Sequence, residues 1–119
     1  METKGKISFD FDGVLSTKEF QDYYESIKDD YDIYVVTARY PNGEILTNTN
    51  DDLYKIVDVL GISRSNIVFL SYVLKSDYFV DNNDFLFHLD DSYIEVDFIN
   101  SETNVKAIYT KGGNDWRKE

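Results

Sequence analysis

The chain has 119 residues, of which 23 are acidic and 12 are basic, so its formal net charge is −11. This length suits one domain, and the acidic surplus disfavours binding to extended nucleic acid or to anionic membranes. The absence of cysteine excludes disulfides and thiolate metal sites. No apolar run approaches a membrane span, and a strand pattern begins near the N-terminus, so we expect a cytoplasmic protein without a signal peptide.

Short apolar runs rich in β-branched and aromatic residues alternate along the chain with helical patterns. The first run ends near Asp10, and the three runs at 32–39, 66–70 and 85–89 are typical of buried strands. The predicted strands cover 7–10, 32–39, 66–70, 85–89 and 104–110.

Helical spacing of apolar residues predicts helices over 20–27 and 53–60, the second capped by Asn50 or Asp51 and ended by Gly61. We expect a turn at 40–44 and a short helix between the third and fourth strands. Residues 92–100 fit either a short helix or an extended segment.

The alternation of strands and helices predicts a single α/β domain over residues 1–119. We expect a three-layer, Rossmann-like parallel sheet with helices on both faces. Ligands of such sheets bind beyond the carboxyl ends of the strands.

Chemically active side chains follow the ends of the first four predicted strands. Asp10 and Asp12 follow the first strand and Thr37 ends the second, while Lys75 comes after the third. The fourth strand runs into Asp90 and Asp91. Clustered carboxylates repel one another unless a cation lies among them, and oxygen ligands of this kind suit Mg²⁺. A lysine and a threonine beside that metal would complement a phosphate.

Four segments resemble, in order, the four motifs of the haloacid dehalogenase (HAD) superfamily. They are FDFDGVL at 9–15, VTAR at 36–39, Lys75, and LDD at 89–91. Most members of that superfamily are Mg²⁺-dependent phosphatases and phosphotransferases. The resemblance implies that Asp10 attacks phosphorus to form an aspartyl phosphate, and that Asp12 acts as general acid and then general base.

The resemblance also implies the ligands of the metal and of the phosphate. Asp10, Asp90 and the backbone carbonyl of Asp12 would bind Mg²⁺, and Asp91 would either bind it through water or orient the surrounding ligands. Thr37 and Lys75 would hold the transferring phosphoryl group. Arg39 is expected either to contact the substrate phosphate or to lie in a solvated loop.

HAD enzymes often carry a cap domain, and this sequence leaves no room for one. It resembles the minimal, capless members found among small phage and bacterial proteins. An open site suits a small phosphomonoester such as a nucleotide or a sugar phosphate, and a second copy of the chain is one way to supply a lid.

Two other functions compete with a phosphatase. One is a binding module for a phosphorylated ligand or protein that has kept the scaffold with weak catalysis. The other is a two-component receiver domain, which the sequence disfavours because no aspartate ends the third strand.

Three further residues have ordinary structural interpretations. His88, inside the fourth strand, is expected to be a hydrogen-bonded structural residue. Lys55 competes with Lys75 for the phosphate role, but it falls within a predicted helix. Trp116, in a charged tail, either packs on the domain or is exposed.

Overall fold

The structure, a computed structural model, describes residues 3–41 and 49–111. The tail with Trp116 and most of the turn expected at 40–44 lie outside these residues. The main elements follow the order β1 (Lys6–Phe9), α1 (Lys18–Ile27), β2 (Asp32–Thr37), α2 (Asp51–Leu60), β3 (Ile67–Phe69), α3 (Lys75–Asp81), β4 (Phe85–Asp90), α4 (Tyr93–Glu102) and β5 (Lys106–Tyr109).

Two shorter helical turns complete the described chain, at Phe11–Leu15 and at Arg64–Asn66. The first of them follows β1 directly and contains Gly13 at φ +80°. Gly61 ends α2 in the left-handed conformation, at φ +82°, as its place after the apolar pattern predicts. Asn50 precedes α2, but its side chain makes no capping hydrogen bond.

The five strands form one parallel sheet in the order β3-β2-β1-β4-β5. The expected α/β fold with a Rossmann-like parallel sheet is therefore confirmed. The strand order reverses beside β1, because β2 lies on one side of it and β4 on the other. In sheets of this kind the reversal opens a crevice at the carboxyl ends of the two strands.

Helices cover both faces of the sheet. Alternate side chains of β2 enter two separate cores, with Val35 in one and Val36 in the other. The first core contains buried residues of α1 and α2, and the second contains Phe79 of α3 and Ile99 of α4. The sheet is thus the middle of three layers.

The structure decides one expectation that was left open and corrects another. The segment 92–100, which sequence pattern left open, is the helix α4, whose N-cap Ser92 accepts a hydrogen bond from the backbone N–H of Glu95. The third strand is not fully buried, since β3 is an edge strand and its three residues are half-buried. Within the described residues, no helix is long and apolar enough to cross a membrane.

Candidate active site

Asp10 and Asp90 are neighbours at the point where the strand order reverses. Asp10 follows β1, Asp90 is the last residue of β4, and the backbone N–H of Asp10 donates to the carbonyl of Leu89 at 2.8 Å. Both aspartates are buried, with 6% and 0% of their surfaces exposed. The sheet therefore places two carboxylates side by side at the carboxyl ends of its central strands.

Lys75 lies between these two carboxylates. It is the first residue of α3, and its Nζ is 2.9 Å from Oδ1 of Asp10 and 2.7 Å from Oδ2 of Asp90. Its side chain is only 4% exposed. Lys55, the competing lysine, lies on α2 and is exposed. The structure thus brings Lys75 to the aspartates, as the sequence pattern predicted.

One ammonium serves two buried carboxylates, and the pKa values reflect this shortage of positive charge. Burial raises the pKa of Asp10 to about 8; Lys75 opposes this increase and the charge of Asp90 adds to it. Burial alone would lower the pKa of Lys75, but the two aspartates outweigh it and raise that pKa. The remaining excess of negative charge falls on Asp10, where a bound cation would relieve it.

Asp90 is held by three donors. Its Oδ2 is 2.8 Å from Nε2 of His88 and also accepts the bond from Lys75, while its Oδ1 accepts the backbone N–H of Ser92 at 3.0 Å. Burial favours the neutral acid, but His88 and Lys75 keep the pKa of Asp90 well below its usual value. The carboxylate is fixed in one orientation.

His88 is fully buried, and Nδ1 lies 2.7 Å from the hydroxyl oxygen of Ser8, which is fully buried as well. Burial lowers the pKa of His88, so the ring is neutral. A neutral ring can accept the Ser8 proton at Nδ1 and donate from Nε2 to Asp90. The expectation of a hydrogen-bonded histidine is confirmed, and its partner is a residue of the candidate site.

A third carboxylate, that of Asp91, joins the pair. One oxygen from each of Asp10, Asp90 and Asp91 lies within 4.8 Å of the others, a spacing that suits one metal ion. Gly13 is part of this arrangement, because a Cβ at this position would collide with the Asp91 carboxylate. Three converging carboxylate oxygens are the hard ligands that Mg²⁺ takes.

Asp12 belongs to a second ionic cluster. Both of its carboxylate oxygens accept hydrogen bonds from Arg39, and the same guanidinium also bonds both oxygens of Asp52 and the side chain of Asn50. The bonds to Asp52 and Asp12 raise the pKa of Arg39. The guanidinium also lies over the ring of Phe11, at 5.0 Å. Arg39 is therefore engaged with carboxylates and does not lie in a solvated loop, while its contact with a substrate phosphate stays a prediction.

Thr37 ends β2 and is fully buried. Its hydroxyl oxygen accepts the backbone N–H of Arg39 at 3.3 Å. The next residue, Ala38, lines the cavity described below, whereas Thr37 does not. In this arrangement Thr37 supports the loop beside the site, and its phosphate-binding role stays a prediction.

A cavity of about 520 Å³ opens above these groups. Its walls combine the carboxylates with an apolar segment that precedes α3. The lining residues are Asp10, Asp12, Gly13, Ala38, Tyr72, Val73, Leu74, Lys75, Asp90, Asp91, Ser92 and Glu95.

No protein-family model matches this sequence, and no curated protein shows significant similarity to it. The site must therefore be interpreted from its own geometry.

Several residues of the site were not found from sequence. Asp52 is the second residue of α2, where an acidic residue is common, so its sequence position carries no signal of a bond to Arg39. Ser8 lies inside β1 and resembles any small strand residue. Tyr72 is one of ten tyrosines in the sequence, and no sequence pattern sets it apart, but it is exposed and lines the cavity.

Proposed function

We propose that this protein is a Mg²⁺-dependent phosphomonoester hydrolase of the HAD type, capless in its fold, that acts through an aspartyl phosphate on Asp10. The buried Asp10–Lys75–Asp90 ion-pair cluster supports this proposal most directly. It lies at the switch point of a parallel sheet, beside a third carboxylate and a cavity. The order of motifs in the sequence supports it independently.

Asp10 is suited to be the nucleophile because it is buried at the cavity and one of its oxygens is held by Lys75. In the first step a carboxylate oxygen of Asp10 forms a bond to phosphorus while the bond from phosphorus to the leaving oxygen breaks. The leaving oxygen takes the electron pair and receives a proton from Asp12. Lys75 neutralises part of the charge that gathers around the phosphoryl group.

In the second step water attacks the phosphorus of the aspartyl phosphate. Asp12 takes a proton from this water, the bond between phosphorus and Asp10 breaks, and inorganic phosphate leaves. At the end of this step Asp10 is again a carboxylate and Asp12 again carries a proton. Arg39 bonds both oxygens of Asp12, so it must release one of them whenever Asp12 carries the proton, before the first step and again after the second.

Asp10, Asp90 and Asp91 are the residues that would hold the metal, and their oxygens converge closely enough to fit it. When bound, Mg²⁺ supplies positive charge that offsets the crowded carboxylates and the substrate phosphate. Lys75 and the N–H of Ser92 keep Asp90 oriented for this role.

The test is hydrolysis of a panel of small phosphomonoesters, with and without Mg²⁺, by wild-type protein and Asp10→Asn. We expect Mg²⁺-dependent release of phosphate from wild-type protein, a loss of at least about 1,000-fold in Asp10→Asn, and an unchanged fold by circular dichroism. Asp97→Asn, an exposed carboxylate of α4, serves as control. If Asp10→Asn turns over substrate as fast as wild-type protein does, Asp10 is not the nucleophile.

One observation favours a binding module as the second candidate. Both oxygens of Asp12 are occupied by Arg39, so the general acid is not free in this arrangement. Such a module would bind a phosphorylated ligand in the presence of Mg²⁺ without releasing phosphate. Isothermal titration calorimetry with each member of the same panel distinguishes the two functions. A binding module would bind one ester tightly and leave it intact, whereas a phosphatase would release phosphate from it.

A further inference from the structure

The cavity has an apolar wall next to the ionic cluster. Tyr72, Val73 and Leu74, which precede α3, line it together with Ala38. The first three are 70%, 53% and 45% exposed, although they are large apolar residues. An exposed apolar surface that continues into a polar site is typical of a ligand-binding wall.

The backbone that presents Tyr72 is strained. The segment from Leu70 to Val73 is a tight turn closed by a hydrogen bond of 2.9 Å from the N–H of Val73 to the carbonyl of Leu70. Ser71 and Tyr72, at φ +53° and +63°, adopt the left-handed conformation that glycine or asparagine usually supplies in such turns. Strain of this kind persists where the surrounding structure holds it, often at functional sites.

Two contacts hold Tyr72 in place. Its N–H donates to the carbonyl of Ala38 at 2.7 Å, which ties the turn to the end of β2. Its ring lies 5.3 Å from the ring of Tyr40, at an angle of 51°. The cavity therefore has an aromatic pair at its margin, positioned by the loop that follows β2.

The cations beside the cavity are already committed to carboxylates. Lys75 bonds Asp10 and Asp90, and Arg39 bonds Asp12 and Asp52. Within the described residues, one more cation forms an ion pair with a carboxylate that lines the cavity. This is Lys111, whose Nζ is 3.7 Å from Asp91. A substrate with a second or third phosphate would find no spare positive charge among these groups.

From these contacts we propose that Tyr72, supported by Tyr40, forms the subsite for the base of a nucleoside monophosphate. This inference rests on the proposed phosphatase function and names its substrate class. A flat ring stacks on an exposed tyrosine, whereas a sugar phosphate without a base offers no such face. The cavity of about 520 Å³ has room for a phosphate, a ribose and a base together.

The test compares adenosine 5′-monophosphate with ribose 5-phosphate, which share the ribose and the phosphate and differ by the base. We expect wild-type protein to favour the nucleotide by about tenfold in kcat/KM, since base stacking on an aromatic side chain is worth that much or more. Tyr72→Asn, which tolerates the left-handed backbone, should bring the ratio close to one. Tyr72→Phe keeps the ring and should keep the ratio within about twofold.

Tyr93→Asn is the matched control. Tyr93 is 65% exposed and pairs with another ring, that of Tyr109, but it does not line the cavity. Its substitution should leave the ratio unchanged. A ratio that Tyr72→Asn does not move would overturn the inference while leaving the phosphatase proposal intact. Faster turnover of O-phosphotyrosine or of a 5′-phosphorylated oligonucleotide than of the mononucleotide would also overturn it.

A binding measurement tests recognition of the base independently of phosphate hydrolysis. Calorimetry with the Asp10→Asn variant and Mg²⁺ should give about tenfold tighter binding of adenosine 5′-monophosphate than of ribose 5-phosphate. The added substitution Tyr72→Asn should remove that difference. If wild-type protein hydrolyses no member of the phosphomonoester panel, the phosphatase proposal fails, and the binding difference alone decides whether Tyr72 recognises the base.

Discussion

The guanidinium of Arg39 bonds both carboxylate oxygens of Asp12, with Nη2 2.6 Å from Oδ1 and Nε 3.0 Å from Oδ2. The adjacent edge of the same guanidinium bonds Asp52, with Nη1 at 2.8 Å and Nη2 at 3.0 Å. Asp52 belongs to α2, so this bridge fixes the proposed general acid and base relative to a helix. In the proposed mechanism Arg39 would therefore influence the reaction through Asp12.

Arg39→Ala should therefore lower kcat more than it raises KM. Without the guanidinium, Asp12 loses its fixed orientation, and we expect kcat for a small phosphomonoester to fall by about 10- to 100-fold. The KM should stay within about threefold, because Arg39 does not line the cavity. Steady-state kinetics at saturating Mg²⁺ provide both values.

The kinetic pattern distinguishes this role from the phosphate contact considered from sequence. A large rise in KM with little change in kcat would mean that Arg39 binds substrate. Arg64→Ala is the matched control, because Arg64 also bonds an aspartate, Asp58, at 2.7 Å and lies over a ring, that of Tyr54. Arg64→Ala should change neither kcat nor KM.

Asp10→Asn should stabilise the protein in the absence of metal. The pKa of Asp10 is raised by burial from its ordinary value of 3.8 to about 8, so the folded state holds the proton more tightly than the unfolded state does. This contribution to stability is full below pH 3.8 and is lost as the pH rises through 8. Asparagine carries no charge and escapes this loss.

The free energy of unfolding can be measured with urea in the presence of EDTA. The value for Asp10→Asn should exceed that for wild-type protein by a margin that grows from pH 5 to pH 9. We expect this margin to grow by up to about 4 kcal/mol over that interval, because each pH unit between pH 5 and the folded-state pKa of about 8 contributes about 1.4 kcal/mol. Mg²⁺ should reverse the order at neutral pH, because it binds the wild-type carboxylates. A difference that does not vary with pH would contradict the burial of an excess charge at Asp10.

Lys75→Met should destabilise the protein by about 3 kcal/mol at pH 7, because it leaves the Asp90 carboxylate buried without its counter-charge and Asp10 without its donor. Millimolar Mg²⁺ should restore part of that loss by supplying the missing positive charge. Thermal unfolding with and without Mg²⁺ measures both effects. Lys55→Met, on the exposed face of α2, should change neither the melting temperature nor its response to Mg²⁺.

The sequence predicted the sheet and the positions of the aspartates because both depend on local patterns. Buried apolar runs mark the strands, and parallel strands bring their carboxyl ends to one edge of the sheet. Asp10, Lys75 and Asp90 are far apart in the chain and still meet for that reason.

The contacts of Arg39 and Tyr72 could not be obtained in this way. Arg39 reaches Asp52 from a loop, and loop geometry leaves no periodic signal in a sequence. Tyr72 adopts a left-handed conformation in which a tyrosine is unexpected, so its position in a tight turn opposes the local preference of its residue type. The half-burial of β3 likewise follows from its place at the edge of the sheet, because apolar composition alone does not distinguish an edge strand from a central one.

His88 should tune the proposed metal site through Asp90. In His88→Leu the Oδ2 atom of Asp90 loses one of its two donors, and Ser8 loses its partner. We expect Mg²⁺ affinity to fall by about tenfold, as is usual when a partner of a metal-binding carboxylate is removed. His88→Gln can still donate to Asp90 and should retain most of the affinity. Calorimetric titration with Mg²⁺ measures the difference.

The same residue should make stability depend on pH. Burial lowers the pKa of His88 below its ordinary value of 6.5, so the unfolded state binds the proton more readily than the folded state does. The stability that the neutral ring contributes is full above pH 6.5 and is lost as the pH falls below it. Glutamine does not titrate, so urea unfolding should show the advantage of wild-type protein over His88→Gln shrinking from pH 7 to pH 5. An advantage that grows towards pH 5 would mean that the folded state favours the protonated ring.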